Sequence, residues 1–79
     1  MARFFFHLHE CGTVIEDEEG IERRPEEVRE IAIQNARDVM CGELVQGRLC
    51  IGCCILVEDS NRQEVMRVPF KDAVTISGL

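Results

Sequence analysis

The sequence has no long hydrophobic run. Its longest nearly uncharged stretch, residues 49–57, falls far short of the about 20 apolar residues that a membrane-spanning helix needs. The start of the chain, where Arg3 precedes only Phe4, Phe5 and Phe6, lacks the apolar region of a secretory signal, so the expected location is the cytoplasm. Low-complexity segments and repeats of solenoid length are also missing, which argues against disorder and against a stacked-repeat fold.

Basic charge is scarce. Nine Lys and Arg stand against 15 Asp and Glu, for a net charge of −6, and nine of the acids lie between Glu10 and Glu30. Nucleic-acid affinity depends on cations that neutralise phosphates, so this balance argues against a DNA or RNA partner. The one adjacent basic pair, Arg23-Arg24, is placed to offset the neighbouring carboxylates. The chain also lacks a Gly-x-Ser-x-Gly elbow, a phosphate-cradling glycine loop and any nucleophile, base and acid at suggestive spacing. The expectation is a protein that is not an enzyme, with no cofactor and no small-molecule substrate.

What is present describes a small globular unit. Seventy-nine residues support a single domain, residues 1–79, because so short a chain has too little interior for two cores. At this size apolar burial barely exceeds the ordering entropy, so support from association is expected. Arg3, Phe4, Phe5, Phe6, His7, Leu8 and His9 read as a strand, with Phe4, Phe6 and Leu8 on the core face and Phe5, His7 and His9 opposite. Residues 13–16 supply a hairpin partner, and the acidic loop Asp17-Glu18-Glu19-Gly20 ends it. From Pro25 the spacing of Val28, Ile31, Ala32, Ala36, Val39 and Met40 predicts an amphipathic helix that closes at Gly47, with Gly42 weakening its last turns. Asn35 and Glu43 fall within the apolar stripe and call for polar partners. Residues 49–58 predict a strand apolar on both faces, Leu49, Ile51, Cys53, Ile55 and Val57 against Cys50, Gly52, Cys54 and Leu56. Asp59, Ser60, Asn61 and Arg62 form a turn, residues 63–70 a last strand ending at Pro69, and residues 71–79 either a further strand or a short helical turn.

The predicted fold is therefore α+β, in the order ββαββ, a four-stranded antiparallel sheet with one long amphipathic helix on one face. One helix covers one face. The second face of the third strand, with Cys50, Gly52, Cys54 and Leu56, is then the candidate interaction surface, and a homodimer or another protein partner is the expected cover.

Five cysteines in a chain expected in the cytoplasm read as reduced thiols. Cys50-Ile51-Gly52-Cys53 has Cys-x-x-Cys spacing, but in a strand these two side chains point to opposite faces, which argues for packing over zinc binding or redox chemistry. His7 and His9, two apart on one strand face, with Cys11 nearby, are the metal candidates, set against the simpler reading of exposed histidines. Asp17, Glu18, Glu19 and Glu22 lack the ligand spacing of a calcium loop.

In order and spacing, the Arg3-Phe4-Phe5-Phe6 start, the Asp17-Glu18-Glu19-Gly20-Ile21-Glu22 turn, the alanine- and arginine-containing helix, Val57-Glu58-Asp59 and Val68-Pro69-Phe70 resemble a family of short proteobacterial proteins known only as a domain of unknown function. Members of that family open Arg-Tyr-Phe-Phe, continue with an Asp-x-x-Gly-x-Glu turn and close with an Asp-x-x-Gly hairpin. This chain departs from the pattern at Phe4, at Arg23-Arg24-Pro25-Glu26 before the helix, and at Asn61-Arg62, where the hairpin glycine is missing. The resemblance implies no activity. The functional expectation is a small interaction or regulatory module. An antitoxin-like regulator, HicB-like by fold analogy alone, and a weak metal or thiol redox protein are the alternatives.

Overall fold

In a computed structural model, described here for residues 1–10 and 12–78, the chain folds as an α+β unit with one helix layer on an antiparallel sheet. Strand β1 (Ala2–Glu10) is the centre of the design. It pairs antiparallel with β2 (Thr13–Ile15), with β3 (Ile21–Arg23) and with β4 (Cys54–Glu58), and β4 pairs in turn with β5 (Glu64–Pro69). The main order is β2-β1-β4-β5. The five-stranded sheet thus contains one short strand, β3, that the sequence pattern did not announce.

Two breaks shape the sheet. β2 pairs with β1 at residues 8–10 and β3 pairs with it at residues 2–4, so residues 16–20 have to span only β1 positions 5–7 and bulge out of the ladder. The second break concerns the strand predicted at 49–58, of which only Cys54–Glu58 is strand. Its ladder runs out on the β5 side, where Cys54 faces Pro69, which has no N–H to donate, and where the chain turns at Phe70 into the short helix α2 (Phe70–Ala73). Residues 51 and 52 instead form a turn. The Phe70 N–H donates to the Cys53 carbonyl at 2.9 Å, which fixes this corner.

A 3₁₀ turn, Pro25–Glu27, leads into helix α1, Val28–Val45. Pro25 suits this start because its missing N–H would have no helical partner, and the Glu27 carboxylate accepts the Arg24 N–H at 3.1 Å. The helix runs through Gly42 and stops at a Schellman motif: Gly47, at φ 83°, lets its own N–H reach the Leu44 carbonyl and the Arg48 N–H reach that of Glu43. One face of α1 buries Val28, Ala32, Ala36 and Met40 against Phe4, Ile55, Val57, Val68 and Phe70, with Phe6 and Leu8 partly buried beside them. The small Ala32 and Ala36, fully buried, let helix and sheet approach closely. Arg37 Nε donates to the Ala73 carbonyl at 2.7 Å and ties α2 to α1.

The second face of the sheet is not left bare. Phe5, His7 and Leu56 on that face are all buried, and the bulge of residues 16–20 lies against the first two. This corrects the expectation that a partner chain covers it. Among the described residues no helix is long and apolar enough to cross a membrane.

Candidate functional site

The residues singled out from sequence fall into three places. His7 is held in a network rather than presented to solvent. It is 5% exposed; its Nδ1 accepts the Asp17 N–H at 3.0 Å, and its Nε2 lies 2.9 Å from Glu58 Oε1. A ring nitrogen that accepts carries no proton, so the proton sits on Nε2 and is donated to Glu58. Both nitrogens are engaged, and this corrects the picture of an exposed histidine ready for a metal. His9 is half-buried, two residues further along the same face and beside Cys54. Cys11 lies outside the described residues. Among the described residues no three His, Cys, Asp or Glu side chains group closely enough to hold a metal ion.

Asp17 organises the bulge over His7 and Phe5. Its Oδ2 accepts the N–H of Phe6 at 3.1 Å and its Oδ1 that of Gly20 at 3.0 Å. The Phe6 N–H belongs to the stretch of β1 between its pairings with β2 and β3, so the carboxylate replaces a missing strand partner. Burial pushes the Asp17 carboxyl up, but the N–H groups of Gly20, Phe6 and Glu19 together with nearby His7 outweigh it and leave the carboxyl below its ordinary value. Gly20 closes the bulge at φ 68°, where an added Cβ would stand 2.8 Å from the Phe4 carbonyl oxygen and 2.9 Å from the Phe5 ring. Arg62, from the β4–β5 turn, stacks over the Phe5 ring, 4.2 Å from its centre. The acidic loop is therefore a structural lid on the sheet.

The predicted interaction surface does not form one strand face. Leu56 is buried, Cys54 is half-buried next to Arg67, and Cys50 and Gly52 belong to the segment before β4. That change of backbone also changes the cysteine geometry. Because Ile51 and Gly52 form a turn, Cys50 and Cys53 converge, and the Cys53 thiol donates to the Cys50 sulfur at 2.9 Å. A strand would have pointed the two side chains apart; the turn brings them together. They border an open cleft of about 340 Å³, also lined by Glu10, Thr13, Glu43 and Arg48. Glu43 Oε1 is buried there without a hydrogen-bond partner among the described residues, so the polar partner that this position in the helix stripe calls for is missing at that oxygen.

A second concavity, about 450 Å³, lies beyond the C-terminal half of α1 between Met40, Leu44, Leu49, Val74 and Ile76. Leu44, Leu49 and Ile76 are 60%, 41% and 45% exposed. Sequence periodicity could not find this groove, because it joins a helix, the segment after it and the chain's last residues.

No curated protein and no solved structure matches the chain. The family model described as domain of unknown function DUF6894 matches residues 3–71, from the first strand through α2, and the chain belongs to that family.

Proposed function

We propose that this domain is a non-enzymatic interaction module of the cytoplasm that pairs with a second copy of itself through the groove at the end of α1. The observation that carries this reading is the exposure of Leu44, Leu49 and Ile76 around one concavity. Val45, 84% exposed on the adjoining helix surface, extends the apolar area. Apolar side chains scattered singly are ordinary on a protein surface, whereas a cluster around a groove marks a contact site. A domain this small also gains more from a shared core than a large one does. Dimerisation would provide the association that the sequence composition called for, on a different surface from the one expected. The net charge of −6 on the whole chain favours a protein partner over nucleic acid.

The test is multi-angle light scattering and sedimentation of the full chain over a concentration series. The wild type is expected as a dimer at tens to hundreds of micromolar, and Leu44→Asp as a folded monomer whose unfolding temperature does not rise with concentration as that of the wild type does, since Leu44 contributes little to the monomer core. A wild-type protein that stays monomeric across the series overturns the self-association.

A further inference from the structure

We propose that Cys50 and Cys53 form a thiol–disulfide exchange site for small disulfides of neutral or positive charge, a stoichiometric chemistry independent of the dimer reading. Three observations converge on it. The sulfurs are 2.9 Å apart across the Ile51-Gly52 turn, so an approach of about 0.9 Å reaches the length of a disulfide bond. Both thiols border the cleft but differ in access: Cys53 is 2% exposed, while Cys50 is only half-buried. The cleft itself carries two acids, Glu10 and Glu43, against one base, Arg48, and the buried Glu43 Oε1 lacks a donor among the described residues.

Unequal access sets the order of events. The Cys50 thiol gives up its proton to solvent, and the resulting thiolate attacks one sulfur of an incoming disulfide R–S–S–R, expelling R–S⁻ and leaving Cys50–S–S–R. The Cys53 thiol, likewise deprotonated, attacks the Cys50 sulfur, forming the Cys50–Cys53 bond and expelling the second R–S⁻. Both leaving thiolates take up the released protons, so the protein dithiol is oxidised and R–S–S–R is reduced to two R–SH. Cys53 is too enclosed to make the first attack and close enough to make the second. The acids select the substrate. An ammonium group on R supplies the hydrogen bond that Glu43 Oε1 lacks among the described residues, whereas a carboxylate on R is repelled by Glu10 and Glu43.

The experiment treats the reduced full-length chain with cystamine, hydroxyethyl disulfide or oxidised glutathione, which are cationic, neutral and anionic, and maps the products by peptide mass spectrometry. The expected product is a Cys50–Cys53 linkage, formed several-fold faster with cystamine than with oxidised glutathione and at an intermediate rate with hydroxyethyl disulfide. Glu43→Gln is expected to narrow the cystamine advantage, and Cys53→Ser to stop the reaction at a mixed disulfide on Cys50. Linkage of either cysteine to a different one, or no linkage in the unmodified chain, overturns the site. A rate order in which oxidised glutathione leads overturns the substrate class. Because the wild-type map alone decides the linkage, a variant that fails to fold does not blunt the test.

Discussion

Gly20 and Arg62 both occupy left-handed backbone, yet for opposite reasons. At Gly20 the conformation coincides with a close approach of the Phe4 carbonyl and the Phe5 ring, so any side chain adds a clash to the strain. Gly20→Ala is expected to cost about 2–4 kcal/mol, read as a lowered midpoint in urea unfolding. Arg62, at φ 63°, stands in the turn between β4 and β5, where no close approach demands a glycine. Its guanidinium compensates by stacking on Phe5 and approaching Glu58 at 3.9 Å. Arg62→Gly relieves about 1 kcal/mol of backbone strain and gives up a stacking contact of about 0.5–1 kcal/mol, so its stability should match the wild type. Arg62→Ala keeps the strain and loses the contact, and should be destabilised by about 1 kcal/mol. The pair of measurements separates backbone from side chain. The Asp17-x-x-Gly20 spacing was visible as a turn, but its role in holding the Phe6 N–H was not, because that contact joins residues eleven apart.

At the scale of elements, the bulge of residues 16–20 explains how one helix suffices for a sheet with two apolar faces. Asp17 is its anchor, and its depressed acidity gives the anchor a pH signature. The sign follows from the folded carboxyl being the more acidic: its stabilisation is complete above the unfolded value, near pH 4, and is lost as pH falls through the folded one. Asp17→Ala is therefore expected to be less stable than wild type at pH 7, by about 1–2 kcal/mol for two lost hydrogen bonds. The difference should shrink below about pH 4, as followed by thermal unfolding across pH. The strand predicted over 49–58 failed for a related reason. Its apolar pattern is real, but a strand extends only where neighbours offer N–H and C=O groups, and Pro69 and α2 end that offer at Cys54. Residues 49–53 then serve a turn, with Leu49 and Ile51 left exposed. The α1 boundary at Gly47 and the core faces of β1 and α1 were legible because local periodicity and turn chemistry suffice to set them, whereas the strand order and β3 depend on long-range pairing.

The whole molecule carries a net charge of −6 and an apolar groove, and these oppose one another in self-association. Two like-charged copies repel over distances set by the Debye length, whereas apolar contact is insensitive to screening. The dimer proposed here should thus tighten several-fold as salt is raised from about 10 mM to about 150 mM, measured by sedimentation. A contact held by ion pairs would weaken instead.

By itself the sequence determined the class of fold, the helix and its buried stripe, the first hairpin and membership of a family. Each of these depends on periodicity or turn chemistry within a few residues of chain. The tertiary structure alone decided the lid over Phe5 and His7, the end of β4 at Cys54, the meeting of Cys50 with Cys53 and the groove joining α1 to residues 74–77. Those features depend on which distant segments share a space, and on where a neighbouring strand runs out of hydrogen-bonding groups.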